Sequence, residues 1–240
     1  MSLDEQKNAV RERVWSALIE ARVSTPDARG YIPDFIGAER AAELLSATAP
    51  WHQAETIKAN PDTAQLAVRA RALAENKLLY MAVPKIATLQ PFYLIDPARS
   101  QLSPAEAATS GAAAANSPLV STEDMRPIDL VVCGSVAVNR QGIRLGKGAG
   151  YSDIEVALLI EDGLVGDNTL IVTTVHSLQV VDEPLPEAGH DFRVDLIVTE
   201  KDIIVCPPAR RPSGLIWPSM PAEKVAAIPV LGMRAKRRFN

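Results

Sequence analysis

The feature that most narrows the fold is a run in which three glycines alternate with other residues, Arg144-Leu145-Gly146-Lys147-Gly148-Ala149-Gly150-Tyr151. Before it come the apolar run at 128–133 (Ile-Asp-Leu-Val-Val-Cys), then Gly134, Val136-Ala137-Val138 and the turn Asn139-Arg140-Gln141-Gly142. After it, residues 151–161 carry Ile154, Ala157, Leu158 and Ile160 at helical spacing, which predicts a helix with these residues on its inner side. Strand, turn, glycine-rich segment and helix is the order that brings free backbone amides and the positive end of a helix to one point, where an anion is stabilised.

The remainder repeats the strand and helix alternation. Residues 4–22 form a helix whose apolar stripe is Val10, Val14, Leu18 and Ala21, with Lys7, Arg11, Arg13 and Arg22 elsewhere on the cylinder. Pro26 and Gly30 break it, and residues 36–47 read as a second helix. Residues 56–59 predict a short strand stopped by Asn60-Pro61, with Asp62 as the N-cap of a helix through Leu66, Val68, Ala70 and Leu73. The run at 78–83 suits a strand buried on both faces, and 92–95, 170–174, 179–181, 194–199 and 203–205 are shorter strand candidates. Crossover-length spacings argue an α/β fold with a mostly parallel sheet covered on both faces. With 240 residues the chain suits a single domain. Residues 100–125, poor in large apolar groups, predict a surface excursion whose Ala-rich part can be helical, and the basic end at about 232–240 predicts a flexible, solvated tail.

A formal net charge of -4 carries no global basic excess, so no nucleic-acid partner is expected and any anion site must be local. No run of about 18 apolar residues is present for a membrane span. The first ten residues hold Asp4, Glu5 and Lys7 without an apolar core, so the expected location is cytoplasmic, as a monomer or homodimer. Cys133 and Cys206 sit in or beside β-branched runs and read as buried thiols, not as a disulfide, metal or nucleophile pair.

Chemistry concentrates around the glycine run. Arg144 and Lys147 add positive charge to its amides, although the spacing matches neither the P-loop nor the dinucleotide pattern, and a glycine turn that only permits close strand-to-helix packing is the alternative. Asp153 at the helix start and Asp195 at the opening of an apolar strand suit Mg²⁺ held with phosphate oxygens, or are simple caps. Lys7 and Arg11, four apart, share a helical face and repel unless an anion lies between them; the alternative is a solvated pair. His176, after a strand, is either structural or near the cleft, and His190-Asp191 carries no assigned role.

These residues together resemble the 5-formyltetrahydrofolate cyclo-ligase family, the methenyltetrahydrofolate synthetases. The family's Lys-x-x-x-Arg on its first helix is matched by Lys7 and Arg11, its Gly-x-Arg-Leu-Gly-x-Gly-x-Gly-Tyr-Tyr-Asp hallmark by residues 142–153, and its later Val-Asp pair by Val194-Asp195. The resemblance implies a Rossmann-like three-layer α/β/α sandwich akin to ribose-5-phosphate isomerase and CoA-transferase domains, with ATP and Mg²⁺. It implies that Lys7, Arg11, Arg144 and Lys147 hold ATP phosphates, with Arg144 and Lys147 acting in catalysis. Leu145, Gly146, Gly148 and Gly150 would supply the loop backbone, Asp153 and Asp195 serve the metal, and Tyr151 lines the folate pocket. The implied reaction converts 5-formyltetrahydrofolate to 5,10-methenyltetrahydrofolate through a phosphorylated formyl group. Two positions depart from the family pattern: Ala149 stands where Lys is usual, and Ser152 where a second Tyr is usual. The chain is also longer than the compact members, and its segments at 57–62 and 82–85 resemble a divergent branch, in which Lys58 and Lys85, at strand ends, are candidate substrate-binding residues against a reading as ordinary solvated lysines. A paralogue using ATP on another heterocycle, for example a thiamine-related one, and a non-catalytic nucleotide-binding protein are the competing readings.

Overall fold

The structure, a computed structural model, describes residues 1–208 and 211–239. Its first half runs α1 (Leu3–Glu20), α2 (Ala38–Ser46), α3 (Ala49–Gln53), β1 (Thr56–Ala59), α4 (Leu66–Ala74), β2 (Leu78–Ala82), β3 (Phe92–Ile95), α5 (Pro104–Ala107), α6 (Ser110–Asn116) and β4 (Leu119–Val120). The second half runs β5 (Leu130–Cys133), β6 (Ala137–Asn139), β7 (Arg144–Leu145), α7 (Tyr151–Glu161), β8 (Leu170–Thr174), β9 (Val180–Val181), β10 (Leu196–Val198), β11 (Ile203–Val205), α8 (Ala222–Ala227) and α9 (Pro229–Phe239).

Eight strands form the main sheet in the order β11-β10-β8-β5-β1-β2-β3-β4. The five central strands are parallel; β11 at one margin and β3 near the other run against them, and β4 pairs antiparallel with β3. Side chains alternate across it as the pleat requires. Ile57 and Ala59, Leu79 and Met81, Leu130 and Val132 pack on the side of α1, α2 and α4, whereas Tyr80 and Ala82, Val131 and Cys133 pack against Val156 and Leu159 of α7. The result is the three-layer α/β/α sandwich, mostly parallel, that the sequence predicts. The same alternation turns Lys58, between Ile57 and Ala59, toward α7. The predicted strands near 136–138 and 179–181 do not extend this sheet: Gly134 and Ser135 carry the chain away from β5, and β7-β6-β9 form a separate three-stranded sheet.

Four expectations need correction. In α1, Ser2 and Glu5 form a capping box, and Lys7 and Arg11 lie on the buried face in line with Val14, Trp15 and Leu18, not away from it. In α7, Val156 and Leu159 face the sheet, while Ile154, Ala157 and Leu158 face Ile228, Val230 and Leu231 of the C-terminal segment. A helix covered on both sides is apolar all round, so its inner face cannot be read from periodicity. Residues 100–125 are more than a surface excursion: Ala107, Ala108 and Ala113 are buried and β4 pairs with β3. The expected tail is helix α9 as far as residue 239. Ile228, Val230 and Leu231 are buried, each worth about 1.5–3 kcal/mol, and Lys236, Arg237 and Arg238 sit in the last turn, where positive charge suits the helix dipole.

Candidate functional site

A cleft of about 620 Å³ opens at the carboxyl ends of β1, β2 and β5, where open α/β sheets present their ligand sites. Asn60, Pro61 and Asp62 enter it from beyond β1, Val83, Pro84 and Lys85 from beyond β2, and Gly134 from beyond β5. The glycine loop and the first turn of α7 form one wall, and Asp4, Lys7, Asn8 and Arg11 of α1 line the cleft with His190 and Asp191.

Local sequence explains how the loop is held. Asn139 Oδ1 accepts the backbone N–H groups of Gln141 and Ile143, closing the turn between β6 and β7. Gly142 adopts φ 78°, and a Cβ there would stand 2.2 Å from the Val194 carbonyl oxygen, so only glycine lets the turn lie on residues 192–194. That contact brings Phe192 beside the loop, its ring centroid 4.0 Å from Arg144 Cζ. Gly148, at φ 101°, leaves its open side to the Arg11 guanidinium, which would lie 3.4 Å from an added Cβ.

Arg144 is the centre of the arrangement. Its Nη2 donates to Asp153 Oδ1 at 2.9 Å, but among the described residues its buried Nε and Nη1 have no acceptor. Burial works against this charge, and the pull of Asp153, with Asp191 and Glu155 behind it, more than offsets burial, so the guanidinium is held above its ordinary value. Arg11 shows the opposite balance: burial comes first and outweighs Asp4, Asp191 and Asp153, while Arg144 adds to the lowering. Buried donors without partners are costly in a folded protein and mark a place where an acceptor from outside belongs. The backbone agrees, because among the described residues the N–H groups of 146–153 donate to no protein acceptor. Two orphan guanidinium nitrogens beside a row of free amides at the start of α7 form a nest for a polyanion.

The predicted site residues divide into three sets. Lys7, Arg11, Arg144, Leu145, Gly146, Lys147, Gly148, Gly150, Tyr151, Asp153 and Lys85 all line the cleft. Within this set Lys7 pairs with Asp191, whose Oδ2 also accepts the Ala188 N–H, Arg11 donates to Gly146 O and Asn8 Oδ1, and the exposed Lys147 reaches Asp62 at 3.3 Å. Lys58 does not present itself to a ligand. It is fully buried beneath the cleft, donating at 2.6 Å to both Asn60 Oδ1 and Glu155 Oε2. Asn60 in turn donates to Ser152 Oγ, and Asn60, Ser152 and Glu155 are the groups that face the cleft. Asp195 is elsewhere. It precedes β10, at the opposite end of the parallel strands, where its Oδ2 accepts from the Ile171 N–H and from Arg211, so it caps a strand and cannot share a metal with Asp153.

Among the described residues no group of three or more His, Cys, Asp or Glu side chains is placed to hold a metal ion. Of the two carboxylates predicted for the metal only Asp153 lies in the cleft, and a single protein carboxylate suits a Mg²⁺ carried mainly by phosphate oxygens and water. His176 is not part of the cleft lining; its Nδ1 accepts the Leu178 N–H and its Nε2 lies 3.4 Å from Glu200. Sequence reasoning missed Phe192 and Glu155 and gave Asp191 no role. The alternation of β1 pointed Lys58 at α7, which was the available signal for Glu155; Phe192 had none. No helix among the described residues is long and apolar enough to cross a membrane.

A model of the 5-formyltetrahydrofolate cyclo-ligase family matches residues 4–200. A mouse (Mus musculus) methenyltetrahydrofolate synthase domain-containing protein is 37% identical over 232 residues, covering 94% of this chain and 62% of the relative. The human (Homo sapiens) protein of the same description is 31% identical, covering 97% and 62%. The chain thus spans about three fifths of the length of these relatives. Among solved structures, the 5,10-methenyltetrahydrofolate synthetase of Aquifex aeolicus aligns with a TM-score of 0.55 at 20% identity, over 85% of this chain and 94% of that one, a likeness of fold.

Proposed function

Because this chain belongs to the 5-formyltetrahydrofolate cyclo-ligase family, we propose that its cleft binds Mg-ATP and a 5-formyltetrahydrofolate-type substrate and closes that substrate to the 5,10-methenyl form. When bound, ATP supplies a γ-phosphoryl group to the formyl oxygen with loss of ADP, and the neighbouring amine then closes the ring as phosphate leaves with that oxygen.

The observation that carries this reading is the pair of unpartnered buried nitrogens on Arg144 beside the free amides of residues 146–153. Such a transfer asks the protein for position and charge stabilisation, not for a nucleophile. Arg144, braced by Phe192 and Asp153, offers two fixed donors. Lys147 offers a mobile charge, Arg11 shapes the loop, and Lys7 is the fourth cation of that wall. Asp153 is the carboxylate proposed for the metal. Tyr151 and Lys85 line the side where the second substrate would lie. Removing one fixed donor of this kind costs on the order of 100-fold in rate.

The test uses the purified chain with Mg-ATP and 5-formyltetrahydrofolate. ATP-dependent growth of methenyl-folate absorbance is expected, and its absence at high enzyme concentration refutes the folate assignment. Arg144→Ala is expected to weaken Mg-ATP binding, and unchanged affinity refutes the nucleotide assignment as well. A second reading, an ATP-dependent enzyme for another heterocycle, draws on Glu155, Asn60 and Ser152 at the cleft floor. Phosphate release across a panel of small heterocycles, with none from 5-formyltetrahydrofolate, selects it.

A further inference from the structure

We propose that Lys224, in the segment beyond the family match, is a positioning residue for the anion-binding loop and the counterpart of Arg11. The proposal rests on the reading of that loop as a phosphate grip.

The family model ends at residue 200, yet α8 and α9 pack on α7 through Ile228, Val230 and Leu231 against Ile154, Ala157 and Leu158. This packing delivers Lys224 to the loop. Its Nζ donates to the Ala149 carbonyl oxygen at 2.8 Å and stands 3.9 Å from the centroid of the Tyr151 ring. On the other side of the same loop, Arg11 Nε donates to the Gly146 carbonyl oxygen at 2.7 Å. Two cations, one from near each end of the described chain, therefore hold two carbonyls of one short loop.

The consequence follows from the planar trans peptide, in which C=O and the next N–H point in opposite directions. With the Gly146 and Ala149 oxygens turned to Arg11 and Lys224, the N–H groups of Lys147 and Gly150 are turned away from those cations, and neither finds an acceptor among the described residues. Carbonyl oxygens drawn onto cations no longer repel an incoming anion, while the amides opposite them attract it. Lys224 also places a positive charge beside Ala149, which carries none of its own. Arg144 supplies direct contacts in this arrangement, and Lys224 acts through the orientation of the peptide plane at 149–150.

Lys224→Met keeps the aliphatic stem over Tyr151 and removes the charge. Two measurements on the whole protein test the role: Mg-ATP affinity by calorimetry, and the rate at which trypsin cuts the Lys147–Gly148 bond without ligand. Lys224→Met is expected to weaken Mg-ATP binding about tenfold, the effect of losing one charge-assisted contact, and to speed the cut, with Lys224→Arg restoring both. A lower melting temperature with affinity and cleavage unchanged would mean that Lys224 merely fastens the segment, and the proposal would fall. If the wild-type protein binds no Mg-ATP, the phosphate-grip reading fails by itself, and cleavage alone then decides: acceleration in Lys224→Met upholds the positioning role, and an unchanged rate overturns it.

Discussion

Lys58→Met is the most informative single perturbation of the cleft floor. The Lys58 side chain is 0% exposed and its partner Glu155 is 7% exposed, so the substitution leaves a carboxylate with almost no access to water and without its paired cation. Methionine fills nearly the same volume, which keeps the packing loss small. Stranding one member of a buried pair costs about 3–5 kcal/mol, and because Glu155 borders the cleft we take the lower end, about 3 kcal/mol. For a chain of this size that corresponds to a fall in Tm of roughly 6–12 °C. Lys58→Met/Glu155→Leu removes the stranded charge and is expected within about 2 kcal/mol of the wild type, since a buried pair replaced whole by apolar groups is often neutral. Urea unfolding of the wild type, both single variants and the double variant closes the cycle, with m-values checked for constancy. Two single variants each within about 1 kcal/mol of the wild type, with no coupling between them, would refute the claim that this pair is desolvated.

Gly142→Ala should be far more damaging than Gly163→Ala. The two share a positive φ (78° and 71°), but only at Gly142 would the new Cβ strike a backbone oxygen, at 2.2 Å; the expected costs are about 3 kcal/mol or more against about 1 kcal/mol, and equal melting temperatures would refute the account of the turn. Acid stability should report Asp162: burial alone would raise its carboxyl, but the hydrogen bonds from Arg234 and with Thr122, and the Arg234 charge, hold it below the ordinary 3.8. The unfolded state then binds the proton more readily, so this contribution is complete well above pH 3.8 and is lost as pH falls through 3.8 toward the depressed folded value. Asp162→Asn should therefore flatten the acid limb of the urea midpoint against pH, and an unchanged slope would count against the Arg234 pairing.

What the sequence made legible was local. The β-branched runs at 128–133 and 170–174 and the apolar run at 78–83 announced central strands, because burial on both faces leaves few polar positions to disguise them. The glycine run between strand and helix located the loop, and its basic residues converge on one cleft. What escaped was written in pairs far apart in the chain. Asp195 before a strand has the same spelling whether it holds a metal or caps the strand, and the difference lies in Arg211 and the Ile171 amide. Lys58 looked like a strand-end lysine until Glu155, 97 residues later, met it from α7. The face of α7 was misjudged for the same reason: its second partner is α9, which a basic C-terminal composition concealed.

The carbonyl anchors of the glycine loop also set an order in time. Arg11 and the loop emerge in sequence as the chain is made, and the Arg11 contact can form once residue 146 is available. Lys224 follows Ala149 by 75 residues, roughly 4–15 s of synthesis at ordinary rates. During that interval β8, β10 and β11 of the main sheet are also made, and the loop has only its Gly146 anchor. The second anchor of the loop is thereby tied to the synthesis of α8 and of its neighbour α9, which seats it on α7.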